Sequence, residues 1–395
     1  MYTFLTECGF NKSEIDKILN NYIISKSKED TIKNNMIDIF KYFDKKGFTR
    51  LEILKMIKNY PCIIAIKTTA IEGKYKLLLS FNFKKNEINS MLKKSPRLLS
   101  HSKEKIENTV RDLLILGFNK KQIHVILAEN PKILGYDIGY LEENIIDLLN
   151  MGYDDKKIYR LFEKEPSLFS YSSFTIYNKI NDFVKLGFTR VDVIKITEVN
   201  PSLLTISLSN LSSKLDNFIE LGYTLEQSKK LVIKNPLVLS RKISTINSKF
   251  EGYKSLGYSE DAIIKMSLGS NSFYNYSKEE IISKFNKFKK LGYTDEEVVL
   301  FTTSLPALLQ YDFEKTKAKI NYLNEVNLQS ILLERTKWVM MSLNLMYARY
   351  EFFKNEQNKV MNKDNCSVMF QSNKSFEKRY GLSKKKLLEK YSYTK

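Results

Sequence analysis

A proline recurs every 35 residues, at Pro61, Pro96, Pro131, Pro166, Pro201 and Pro236, and the last proline of the chain, Pro306, falls two periods further on. Asn271 holds the skipped position. Glycine keeps the same period 14 residues earlier, at Gly47, Gly117, Gly152, Gly187, Gly222, Gly257 and Gly292, with Asn82 and Asn327 in the remaining slots. Glycine, and after it asparagine, enters the left-handed conformation at least cost. A fixed period of this length predicts a single array of stacked modules, not the two or three globular domains that 395 residues would otherwise suggest.

Counted from the glycine as zero, each column has a physical reading. Positions −11, −7, −4 and −3 are apolar, as in Ile106, Val110, Leu113 and Leu114 or Ile176, Ile180, Phe183 and Val184, which predicts one buried stripe along a first helix. Ser102, Asp137, Ser172, Ser207, Ser277 and Asp312 stand at −15 as its caps. The glycine ends that helix, and the aromatic at +1 (Phe118, Tyr153, Phe188, Tyr223, Tyr258, Tyr293) is placed to touch the −4 side chain in a Schellman ending. We expect a structural staple there, not a base-stacking platform. Thr49 with Glu52, Asn119 with Gln122, Thr189 with Asp192 and Thr294 with Glu297 open a second helix as capping boxes. It stops before the proline, and the apolar pair that follows, as in Leu98-Leu99 or Leu203-Leu204, predicts a short 3-10 turn. The expected fold is an all-α helical-repeat solenoid of long helix, short helix and 3-10 turn. Residues 1–35 read as an amino-terminal cap holding a partial repeat, 36–353 as the array, and 354–395 as a basic tail.

Composition narrows the function. A formal net charge of +19 exceeds what solubility needs and points to a polyanionic partner. Residues 331–395 carry 14 Lys or Arg against 6 Asp or Glu, with the densest cluster at Lys384, Lys385 and Lys386. Cys8, Cys62 and Cys366 are far apart, and His101 and His124 are the only histidines, so neither a disulfide framework nor a metal site is expected. The sequence holds no Gly-rich phosphate loop and no nucleophile with a base, so we expect no enzyme and no cofactor. No apolar stretch approaches about 18 residues, which excludes a spanning helix. The amino terminus, MYTFLTECGFNKSEIDK, has neither a secretory signal nor a presequence pattern. The expected compartment is intracellular: the bacterial cytoplasm if nothing has been removed, the mitochondrial matrix otherwise.

The recurring turn and proline, as in LGFNKKQIHVILAENPKIL, LGFTRVDVIKITEVNPSLL and LGYTLEQSKKLVIKNPLVL, resemble the mitochondrial transcription termination factor (mTERF) family. MSLNLMYARYEFFK at 341–354 and the closing LSKKKLLEKYSYTK are similar to the end of that family, with Arg349-Tyr350 in place of its Arg-Tyr pair. The resemblance spans residues 36–395. It implies helical modules stacked into a curved superhelix, a basic concave groove that binds nucleic acid, and a part in organellar transcription termination or other steps of gene expression.

Two basic columns are candidates for the phosphate contacts. Lys74, Lys179, Lys214, Lys249, Lys284 and Lys319 stand at −8 on the first helix, and Lys55, Arg160, Lys195, Lys230 and Lys265 at +8 on the second. One cation per module suits a phosphate backbone better than a compact anion. The −8 column continues further along the array and is preferred. Arg349, from the family motif, joins it. Tyr136, Tyr171, Tyr276 and Tyr311, five residues beyond the proline position, either stack on bases or pack between modules. The expectation is a monomeric, non-enzymatic protein that binds nucleic acid, duplex DNA before RNA, and regulates transcription. RNA binding in ribosome assembly or processing, and a protein-interaction scaffold, are the alternatives.

Overall fold

The computed structural model describes residues 1–270, 273–309 and 312–393, so Asn271 at the skipped proline position and Tyr311 of the tyrosine column lie outside the described residues. Among the described residues there are twenty-four α-helices, ten 3-10 turns and no strand, and they form the helical-repeat solenoid that the period requires. The chain divides into two compact units, Met1–Leu208 and Ser209–Lys395.

The module around Gly187 shows why the sequence folds this way. Its long helix, Ser173–Lys185, is capped by the Ser172 hydroxyl, which accepts from the Thr175 N–H. Gly187 takes a φ of 89°, beyond the easy reach of a side-chain-bearing residue. Its N–H donates to the Val184 carbonyl at 2.9 Å, and the Phe188 N–H donates to the Phe183 carbonyl at 3.2 Å, which together make the Schellman ending. The Phe183 and Phe188 rings meet edge to face at 5.8 Å, so the aromatic after the glycine is a staple. Thr189 and Asp192 then form a reciprocal capping box that opens the short helix Arg190–Val199. Pro201 begins the 3-10 turn Pro201–Thr205, where Leu203 and Leu204 are buried. Asn82 and Asn327 substitute for the glycine with φ of 67° and 54°.

The +1 aromatic also joins modules. Tyr153 OH lies 2.6 Å from Thr197 Oγ1, Tyr223 OH 2.8 Å from Ser267 Oγ, and Tyr258 OH 2.5 Å from Thr302 Oγ1, each pair 44 residues apart. Where the aromatic is Phe48, Phe83 or Phe118, the corresponding residue of the next module is Leu92, Leu127 or Phe162, also buried. A buried phenol needs a partner and a buried phenyl must not face an orphaned hydroxyl, so the two positions change together.

Two expectations need correction. The −3 residues do not join the buried stripe: Leu114, Val184 and Ile219 are 42%, 40% and 46% exposed, whereas Ile106, Leu113, Ile176 and Phe183 are fully buried. The long helix is covered along a face too narrow to reach −3. The second concerns the basic tail expected over 354–395, which is folded. A 3-10 turn at Cys366–Phe370 and helices at Asn373–Tyr380 and Lys384–Lys390 close the array, with Phe376 and Leu387 buried. Phe370 stacks on Trp338 at 4.4 Å, and the Tyr391 hydroxyl donates to Glu356 at 2.7 Å. At the other end, helix Tyr2–Cys8, Gly9 with a φ of 107° and helix Lys12–Leu19 repeat the turn within 1–35. The glycine and proline columns give out near both ends, but the packing does not.

The inter-module hydroxyl pairs yield a stability test. Tyr153→Phe is expected to cost about 1 kcal/mol and Thr197→Val about 1–3 kcal/mol, while the double variant costs less than their sum. Urea unfolding of the four proteins measures this, and strict additivity would contradict a direct bond. Burial pushes the Tyr153 phenol up to about 12. An unfolded phenol ionises near about pH 10, so the native state retains its proton longer and stability falls as pH rises from there toward 12. The Tyr153→Phe chain loses less stability over that window.

Candidate nucleic-acid interface

In the long helices from Thr68–Ser80 to Phe313–Glu325 the seventh residue is the −8 position, one step from the −7 side chain of the apolar stripe. That step turns the lysine toward the seam with the next module, and every ammonium of the column ends on a main-chain carbonyl there. Lys179 Nζ donates to the Ile206 carbonyl at 2.8 Å, Lys214 to Arg241 at 2.5 Å, Lys284 to Leu309 at 2.6 Å and Lys319 to Val339 at 2.9 Å. Lys74 donates in the same way to Leu99, and Lys249 to Tyr274. All six acceptors lie at the end of a 3-10 turn, where carbonyls have no partner within the turn and carry partial negative charge.

Arg349 occupies the same seventh position in helix Leu343–Asn355 and does the same work. It is 1% exposed, and its guanidinium donates to the Met369 carbonyl at 2.6 Å, the Gln371 carbonyl at 2.7 Å and the Asn373 side chain at 2.9 Å. Burial lowers its pKa to about 10 and lowers those of Lys74, Lys214, Lys249, Lys284 and Lys319. Where the column is not basic it still donates: Thr109 Oγ1 to the Leu134 carbonyl at 3.3 Å and Asn144 Nδ2 to the Tyr171 carbonyl at 3.1 Å. The geometry therefore gives Lys74, Lys179, Lys214, Lys249, Lys284, Lys319 and Arg349 a role as ties between modules. Lys214 and Lys249, at 7% and 5% exposure, have almost no surface to offer a phosphate.

The +8 residues behave differently. Lys55, Arg160, Lys195, Lys230 and Lys265 are all exposed, because +8 is on the outer side of the short helix between the buried +6 and +9 columns. On the same face, one helical turn on, Lys94 and Lys164 at +12 cap the short helix of the following module, donating to the Ala128 carbonyl at 3.1 Å and the Glu198 carbonyl at 2.8 Å. Just past the proline stand the exposed Arg97 and Lys132.

In the amino-terminal unit these cations converge on two adjoining grooves along the 3-10 turns. One, of about 770 Å³, is lined by Lys94, Arg97, His101, Lys132 and Tyr136 among others. The next, of about 650 Å³, is lined by Lys94, Lys132, Lys164 and Tyr171, with Glu129 and Glu165 as its carboxylates. Burial and the neighbouring Arg97, Lys105 and Lys74 hold the His101 pKa below its ordinary value, so it stays neutral near pH 7. Tyr136 donates to Ser170 Oγ at 2.9 Å across the module seam and also lines a groove. The Tyr276 ring receives Lys284 Nζ at 3.9 Å from its centroid. In the carboxy-terminal unit a smaller groove of about 310 Å³ contains Arg335, Lys337 and Trp338.

Sequence reasoning missed Arg97 and Lys132, because the residue after the proline is cationic in only these two modules and forms no column. Among the described residues no three His, Cys, Asp or Glu side chains gather as a metal site, and no helix is long and apolar enough to cross a membrane.

The two classes of cation respond differently to removal. Lys214→Met and Lys249→Met leave a buried carbonyl unpaired and are expected to cost about 1–3 kcal/mol each in urea unfolding. Arg97→Gln and Lys132→Gln are expected to leave the unfolding midpoint unchanged.

A family model described as mTERF matches residues 2–255 and 211–376 of the chain. No curated protein matches it.

Proposed function

The chain belongs to the mTERF family, whose members act as nucleic-acid-binding regulators, and on that premise we propose that it binds duplex DNA and regulates transcription without catalysing a reaction. The phosphate backbone lies along the 3-10 side of the amino-terminal unit, over the grooves that hold Lys94, Arg97, Lys132 and Lys164. The observation that carries this reading is the convergence of these four cations on two grooves that share Lys94 and Lys132. Packed helices stand about 8–10 Å apart, close to three steps of about 3.4 Å along one DNA strand. A cation repeated once per module therefore returns to a phosphate at regular intervals. The ties formed by Lys74 and Lys179 act indirectly, by holding that pitch. Base contacts need no dedicated column in such a scheme, since backbone contacts position the duplex and carry no sequence information.

Four phosphate contacts give a slope of about −3.6 for log K against log salt. Arg97→Gln with Lys132→Gln is expected to make that slope shallower by about 2 and to weaken binding to all sequences alike. Fluorescence anisotropy with labelled duplex and with single-stranded RNA of the same sequence measures both quantities. An unchanged slope would remove the grooves from the interface, and a preference for the RNA would replace the transcription reading with an RNA-directed one.

A further inference from the structure

Four long helices of the amino-terminal unit leave an apolar side chain uncovered at the same −3 position. Leu79, Leu114, Leu149 and Val184 are each 37–42% exposed, and Ile115 beside Leu114 is 70% exposed. Leu114 also lines, with Phe81, Phe83, Val110 and Ile123, a largely apolar groove of about 650 Å³ whose rim holds Lys120 and Lys121.

Two modules of the carboxy-terminal unit resolve this same position in another way. Past Ile219, which is still 46% exposed, −3 becomes Lys254 and then Lys289, and each pairs with the acid at +3 of its own module: Lys254 with Glu260 at 3.0 Å and Lys289 with Asp295 at 2.7 Å. In those two modules the edge satisfies itself. In the four modules named above the −3 residue is apolar instead, while Lys85, Lys120, Lys121, Lys156 and Arg190 occupy exposed +3 or +4 positions, with Asp155 the one acid among those positions. Lys85, Lys120 and Lys121 have no ion-pair partner among the described residues. Cations in the first turn of a helix oppose its dipole, so the fold alone gives no reason to place them there.

An uncovered apolar row flanked by unpaired cations suits a surface that is apolar along a line and acidic beside it. We propose that this edge of the amino-terminal unit docks an amphipathic helix of a partner protein, with carboxylates flanking its apolar seam. The dimensions agree. Module helices about 8–10 Å apart correspond to about five to seven residues of a partner helix rising about 1.5 Å per residue. One heptad of the partner, about 10.5 Å, therefore approaches the wider end of the module spacing, and a leucine seam enters successive gaps between the −3 side chains. A nucleic acid would place phosphates over Leu114 and Ile115, which gain nothing from them.

The test uses the full chain and a labelled helical peptide of about 28 residues, with leucine at heptad spacing and glutamate beside it, against a scrambled peptide of the same composition. Anisotropy is expected to show saturable binding of the heptad peptide alone. Leu114→Glu with Leu149→Glu is expected to weaken it by about tenfold or more. Lys120→Glu with Lys121→Glu weakens it too, and both variants keep parental helicity and parental affinity for duplex DNA. Equal binding of the two peptides, or parental peptide affinity in the leucine variant, would overturn the proposal. Loss of duplex binding in that variant would also overturn it, by assigning the ridge to nucleic acid.

Discussion

From Lys74 onward, the modules of this chain are held in step by side-chain donors that cross the seams between them. A 3-10 turn ends in carbonyls that nothing within the turn can satisfy, and the next module's geometry places them beside the seventh residue of the preceding long helix. Lysine, threonine, asparagine and arginine all meet that demand at Lys214, Thr109, Asn144 and Arg349. A long cationic donor does it best, since its charge also faces the negative end of the turn. The buried hydroxyl pairs after the glycine turn, such as Tyr153 with Thr197, add a second bond between modules. Apolar burial alone would allow neighbouring modules to slide. Directional bonds of this kind fix their register.

That constraint redistributes the meaning of the net charge. A +19 chain looks uniformly basic from its composition, yet part of its positive charge is spent inside the seams. The cations free to meet an anion lie elsewhere and differ between the two units. In the amino-terminal unit they line the 3-10 grooves at Arg97 and Lys132 and the opening turns of short helices at Lys120 and Lys121. In the carboxy-terminal unit the corresponding opening turns are acidic, at Glu260 and Asp295, and are neutralised by the lysines beside them. One repeated scaffold thus presents chemically different edges in its two halves.

Most of the fold was legible because its signals are local. Gly187, the Thr189–Asp192 box and Pro201 each dictate backbone conformation within a few residues, and periodicity supplied the rest. The interface was less legible because side-chain direction depends on the neighbouring module. Lys214 and Lys230 look alike in the sequence, but one is buried against the Arg241 carbonyl and the other faces solvent. A usable signal was present in the −8 column: Lys74, Thr109, Asn144 and Lys179 are all side-chain donors and none is a carboxylate. A column that met phosphate through its charge would stay cationic, whereas this one keeps only the ability to donate. The −3 ridge was misread for a related reason, since an apolar side chain next to a buried stripe looks buried until the width of the covering face is known. The closing module escaped notice because it lacks the proline and takes its turn at Asn358, with a φ of 49°.

Lysine footprinting of the native chain by mass spectrometry, with and without duplex DNA, tests the division between seam ties and surface cations most directly. The account predicts that Lys214 and Lys249 resist acylation in the free protein and are unchanged by DNA, while Lys132 reacts readily when free and is shielded in the complex. Rapid labelling of Lys214 and Lys249 in the free chain, suppressed only when DNA is added, would contradict it.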